Sequence, residues 1–218
     1  SLVSATANNG ATACSASFTG NSLTGNFSSP SSGTCTIIVQ GTATTTGNIT
    51  NSATIAPPAI ITDPTSSNNS SSVDASIFAP PAISLVKSCP FPADCTTASQ
   101  LPGTDLTYKI EFTNTGGLGA ANLRIVDGIP LNTDYKVGSA AANVGTTGLT
   151  FEIDFSSDYD PLNPNLATWI YFPVSGAGGA AAGYDRNVKA IRWRVTSGTL
   201  SNVSPNNIGD ISFETRIR

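Results

Sequence analysis

The stretch DFSSDYDPLNPN is the one place where the chain gathers acidic side chains that could hold a cation or move a proton. Asp154, Asp158 and Asp160, with the amide of Asn163, offer hard oxygens of the kind that calcium takes about six to eight at a time. The spacing is not that of an EF-hand, and Asp154 falls on an alternating strand, so a solvated turn competes with calcium for this loop. Asp158 and Asp160 could also serve as the paired carboxylates of a glycoside hydrolase, which would need an aromatic-lined cleft around them. Tyr159, Trp169 and Tyr171 are near in sequence, but strand aromatics mostly pack into a core. Calcium is thus the one candidate cofactor.

Histidine is absent. Its absence removes Ser-His-Asp and Cys-His nucleophile systems and most zinc hydrolase sites, so the chain is expected not to be an enzyme. The cysteines form two close pairs, Cys14 with Cys35 and Cys89 with Cys95. Two local disulfides in an oxidising compartment are expected, each contributing about 2 to 4 kcal/mol. Metal binding is the rival reading, against which stand spacings unlike those of zinc knuckles and the missing histidine; four buried thiols is the other. Asn-x-Ser/Thr triplets occur at Asn26, Asn48, Asn68, Asn69 and Asn202. In a chain so rich in these residues several arise by chance, and glycosylation would require export.

Charged residues are 11% of the 218, against about 25% in an average domain. The surface is kept wet by hydroxyls and amides instead, as in many secreted β proteins. A net charge of -4 argues against a nucleic-acid surface, which needs clustered Lys and Arg. No run approaches the roughly 20 apolar residues of a membrane span. No signal peptide is present either, so an exported protein would have this chain as a processed or trimmed form.

The elements that must position these residues alternate with period two. Leu106, Tyr108, Ile110 and Phe112 share one parity, and Thr107, Lys109, Glu111 and Thr113 the other, which predicts a half-buried antiparallel strand. Asn114 to Gly119 has turn composition. Leu123 and Ile125 then resume the apolar parity until Asp127, Gly128 and Pro130 close the run, so a hairpin forming one wall of a sandwich is expected.

The run GTDLTYKIEFTNTGGLGAANLRIVDGIP resembles the conserved repeat domain (domain of unknown function eleven) found in tandem on prokaryotic cell-surface proteins. Gly103, Asp105, Leu106, Thr107, Tyr108, Thr113, Asn114, Thr115, Gly116, Asp127 and Pro130 occupy the places of that pattern. The resemblance implies an immunoglobulin-like structural module without a common catalytic site. Gly47, Ile49, Thr50, Asn51, Ala53 and Thr54, followed by Asp63, Pro64, Asn68 and Asn69, resemble the second half of the same repeat. Trp193 resembles the tryptophan of its late strand, where a core-packing indole is the simplest role.

Further alternating runs lie at Cys35 to Val39, Val73 to Ile77, Phe151 to Phe155, Ile191 to Val195 and Ile211 to Ile217, with an apolar, aromatic run from Trp169 to Val174. No helical period appears. The expected fold is all-β: two immunoglobulin-like antiparallel β-sandwich modules in tandem, the first incomplete. Residues 1–78 read as the late-strand half of a repeat, 79–82 as a proline-rich linker, and 83–218 as a repeat lacking its last strands.

Each half therefore lacks what the other possesses. The second region stops at GDISFETRIR, which aligns with GTCTIIVQGTA, and has no counterpart of GNITNSATI. A sandwich short of strands exposes apolar faces and unpaired edges. Three readings follow: a piece of a longer tandem array, a divergent module that needs no more strands, or subunits that polymerise head to tail and complete one another by strand addition. The expected function is an extracellular or cell-surface structural protein, a stalk or fibre subunit. Its expected partner is itself or the neighbouring repeats of one parent protein, with no nucleic acid and no membrane insertion. The alternative is an adhesin binding glycan or protein through loops at one sandwich end.

Overall fold

The structure is a computed structural model, and it describes residues 2–20, 22–28, 32–93 and 95–218. The fold is all-β, with antiparallel sheets and, among the described residues, no helix beyond three short 3-10 turns. The chain divides into two units, Ser1–Ile77 and Phe78–Arg218.

Among the described residues the first unit forms three two-stranded ribbons. β1 (Leu2–Asn8) pairs with β4 (Thr34–Val39), β2 (Ala13–Thr19) with β3 (Ser22–Ser28), and β5 (Gly47–Thr54) with β6 (Ser70–Ile77). The registers place Ala5 opposite Ile37 and Ala7 opposite Cys35 on one ribbon, and Cys14 opposite Phe27 and Ala16 opposite Gly25 on another. The Cys14–Cys35 disulfide joins these two ribbons, with Cα atoms 5.4 Å apart. Their facing side chains are mostly Ala, Gly and Cys, too small to exclude water from one another. In consequence no described residue of the unit is buried. Two-stranded ribbons are marginal in water without a packed face.

The second unit is a β-sandwich. It contains β7 (Ile83–Phe91), β8 (Asp105–Asn114), β9 (Arg124–Gly128), β10 (Thr133–Lys136), β11 (Ala141–Asn143), β12 (Thr150–Ser156), β13 (Tyr184–Asp185), β14 (Ala190–Ser197) and β15 (Ile208–Ile217). The large sheet runs β13-β10-β15-β8-β7, with β11 also on β15; the small sheet runs β12-β14-β9. Alternation decides the faces. Tyr108 opposite Phe213, Ile110 opposite Ile211 and Phe112 opposite Gly209 line the inner face of the large sheet. In the small sheet Trp193 lies between Ile153 and Ile125. Trp193 is fully buried, its ring 6.0 Å from that of Phe213 across the core. Its Nε1 donates to the Ala141 carbonyl at 3.1 Å.

Gly209 is required by its neighbour rather than by a turn. A Cβ there would come within 2.6 Å of the Phe112 ring, which is itself fully buried. Gly209→Ala is expected to destabilise the sandwich by about 1 to 3 kcal/mol through overpacking, read as a lowered denaturant midpoint with an unchanged slope.

Two expectations are corrected. The hairpin expected from Leu106 to Pro130 does not form: β8 pairs with β7 and β15, while β9 pairs with β14 in the other sheet. Both edges of β8 are occupied, so the glycine-rich connection carries the chain across the core. Apolar parity is preserved because the two strands line the same core from opposite sides. The run Trp169–Val174 is not a strand either. It makes one isolated bridge, Tyr171 with Phe155, and leaves Ile170 78% and Phe172 83% exposed. Pro173 lacks the N–H a continued ladder would use.

Candidate functional site

Asp154, Asp158 and Asp160 do not converge. Asp154 points outward from β12 and pairs with Arg192 at 2.7 Å on the neighbouring strand. Asp158 accepts from the buried Ser156 hydroxyl at 2.7 Å, from the Thr168 amide at 2.9 Å and from the Thr168 hydroxyl at 2.7 Å. The Ser156 bond, then those from Thr168, hold its carboxyl below the usual carboxylate range. Asp160 accepts from the Asn163 side chain and the Leu162 amide, with the same consequence. These carboxylates tie the loop to itself, and among the described residues no three His, Cys, Asp or Glu side chains gather as a metal site. Trp169 stacks its ring on the Arg192 guanidinium, 4.7 Å away, and packs against Tyr159.

Both cysteine pairs are bonded, Cys14 with Cys35 and Cys89 with Cys95. The two disulfides suit a non-cytoplasmic, oxidising setting. Of the asparagines in glycosylation triplets, Asn26, Asn48 and Asn68 are exposed and Asn69 is half-buried. The Asn202 amide nitrogen is engaged by the Gly117 carbonyl at 3.0 Å.

The feature that stands out chemically is a pair of uncovered apolar faces. On the hairpin β5–β6, Ile49 opposite Ala75, Asn51 opposite Val73 and Ala53 opposite Ser71 share one face with Ile77. The opposite face is Asn48, Thr50, Ser52 and Thr54 with Ser70, Ser72, Asp74 and Ser76. Thr50 donates to Asp74 at 2.6 Å and Ser76 to Asn48 at 2.7 Å, so the polar face is internally bonded. The apolar face is not packed: Ile49 is 52% and Val73 65% exposed.

On the sandwich, Ile83, Leu85 and Lys87 of β7 stand opposite Asn114, Phe112 and Ile110, and so share the inward face of the large sheet. Lys87 confirms the direction by reaching Asp127 of β9 at 2.6 Å in the facing sheet. Burial, and secondarily Asp127, push the nearby Tyr108 phenol up, which keeps it neutral beside the pair. Leu85 nevertheless stays 53% exposed, because the small sheet ends at β9 and, among the described residues, has no further strand to lie over the outer half of β7. The free edge of β9 has no ladder partner among the described residues. The place of β9 across the core from β7 was not legible from sequence, since it depends on the crossover after β8. One signal was present: Lys87 breaks the apolar parity of Ile83 and Leu85, marking an inward position that meets a charge.

Against family models, curated proteins and solved structures, the chain shows no match.

Proposed function

We propose that this is an extracellular structural protein, a stalk or fibre subunit of immunoglobulin-like modules, whose activity is association with itself head to tail. The observation that carries this reading is the contrast between the units. One buries a full core, while the other buries no described residue and displays strand pairs with bare apolar faces. Strand pairs of this kind gain a core by adding to another sheet. The contact is heterologous, so it propagates into a filament unless its rotation closes a ring. Nucleic acid and membrane insertion have no part in it.

A specific observation favours a second reading, an adhesin: the exposed Ile170 and Phe172 beside the Trp169–Arg192 stack form an apolar loop surface on the sandwich. Electron microscopy and sedimentation of the purified chain test the first reading. Filaments repeating once per chain are expected. A monomer at all concentrations removes it and leaves the adhesin.

A further inference from the structure

Resting on that self-association reading, we propose that the β5–β6 hairpin of one copy adds to the free edge of β9 in a second copy, extending the small sheet over Ile83 and Leu85. The large sheet has a five-strand path and the small sheet three strands, so the sandwich lacks strands on the β9 side. Two residues there, Ile83 and Leu85, stand on an inward face without cover. A hairpin added at β9 supplies both missing things, a ladder partner for its backbone and an apolar face for these side chains.

Three features match this occupant. The hairpin strands are eight residues each, longer than the five of β9, so the whole edge is covered. With its apolar parity turned inward beside Ile125, the hairpin sets Ile49 and Val73 toward β7 and leaves its hydroxyl-rich face in water. Charge agrees as well. The outer face of the small sheet carries Arg124, Arg192 and Arg194, and Arg124 has no ion-pair partner among the described residues. The polar face of the hairpin brings Asp74, which has no ion-pair partner among the described residues, to that same surface. The edge of the large sheet on the same side, β7, is a poorer acceptor. Addition there would lengthen the large sheet and leave Leu85 as bare as before.

The test uses two variants of the 218-residue chain altered at side chains already exposed in the single chain, Ile49→Asp on the donor and Leu85→Asp on the acceptor. Each alone is expected to stay monomeric with an unchanged melting temperature where the unaltered chain forms filaments. Mixed one to one, they are expected to form dimers and stop, because only the hairpin of Leu85→Asp and the edge of Ile49→Asp remain competent. If both variants polymerise like the unaltered chain, this docking is wrong while self-association stands. If the unaltered chain never associates, both fall. If Ile49→Asp lowers the melting temperature of a monomer and the mixture gives no dimer, the hairpin docks within its own chain and the second-copy proposal is overturned.

Discussion

Trp193→Ala is expected to destabilise the sandwich by about 3 to 5 kcal/mol, the largest single effect in the second unit. The indole is fully buried, flanked in its own sheet by Ile125 and Ile153 and faced across the core by Phe213. Truncation leaves a cavity between the two layers that the surrounding side chains fill only in part. It also orphans the Ala141 carbonyl, which accepts from Nε1. Since a domain of this size is stable by about 5 to 15 kcal/mol, the loss takes a large share of the total. Urea denaturation followed by circular dichroism measures it. Trp193→Phe separates the causes, because it keeps much of the volume and loses the hydrogen bond; a loss equal to that of alanine would mean that the bond, not the packing, dominates.

Asn114→Ala is expected to cost about 2 to 3 kcal/mol without removing any apolar contact. This fully buried side chain is a junction of three segments. Its Oδ1 accepts from the Gly116 amide at 3.0 Å and the Ala82 amide at 3.2 Å, and its Nδ2 donates to the carbonyls of Leu118 at 2.8 Å and Leu200 at 3.2 Å. It thereby holds the entry to β7, the connection from β8 to β9 and the loop after β14. Gly116 belongs to the same device: a Cβ there would lie 2.3 Å from the Pro80 carbonyl oxygen. Faster amide exchange at Ala82 and Gly116, with the core strands unchanged, is the signature that distinguishes a lost junction from general loosening. Uniform exchange across β8 and β15 would contradict it.

The Asn-Thr-Gly of that junction was visible in the sequence as turn composition, and its hydrogen bonds explain why those residue types stand there. Likewise the alternations at Leu106–Phe112, Ile191–Val195 and Ile211–Ile217 are legible one strand at a time, because a period of two with one apolar parity has a single physical outcome, a strand with one buried face. The closeness of Cys14 to Cys35 and of Cys89 to Cys95 in the chain pointed to both disulfides for a similar reason. The strands β1 to β3 of the first unit escaped because Ala5, Ala7, Cys14, Ala16 and Gly25 stand among their few larger apolar residues, which gives weak alternation. Trp169–Val174 misled for the converse reason. Large apolar side chains were present, but Pro173 and a single bridge left no ladder to hold them.

Composition and periodicity by themselves determined that the chain is all-β and without a histidine-based catalytic site, and the close cysteine pairs pointed to two disulfides. The tertiary structure alone decided which strand sits beside which. Alternation records the face a residue takes and carries nothing about the partner across the ladder, so β8 and β9 read as a hairpin when they belong to opposite sheets. For the same reason the bare inner face of β7 and the free edge of β9 could be seen only after the sheets were assembled. They exist because strand pairing, a non-local interaction, leaves the small sheet shorter than the large one.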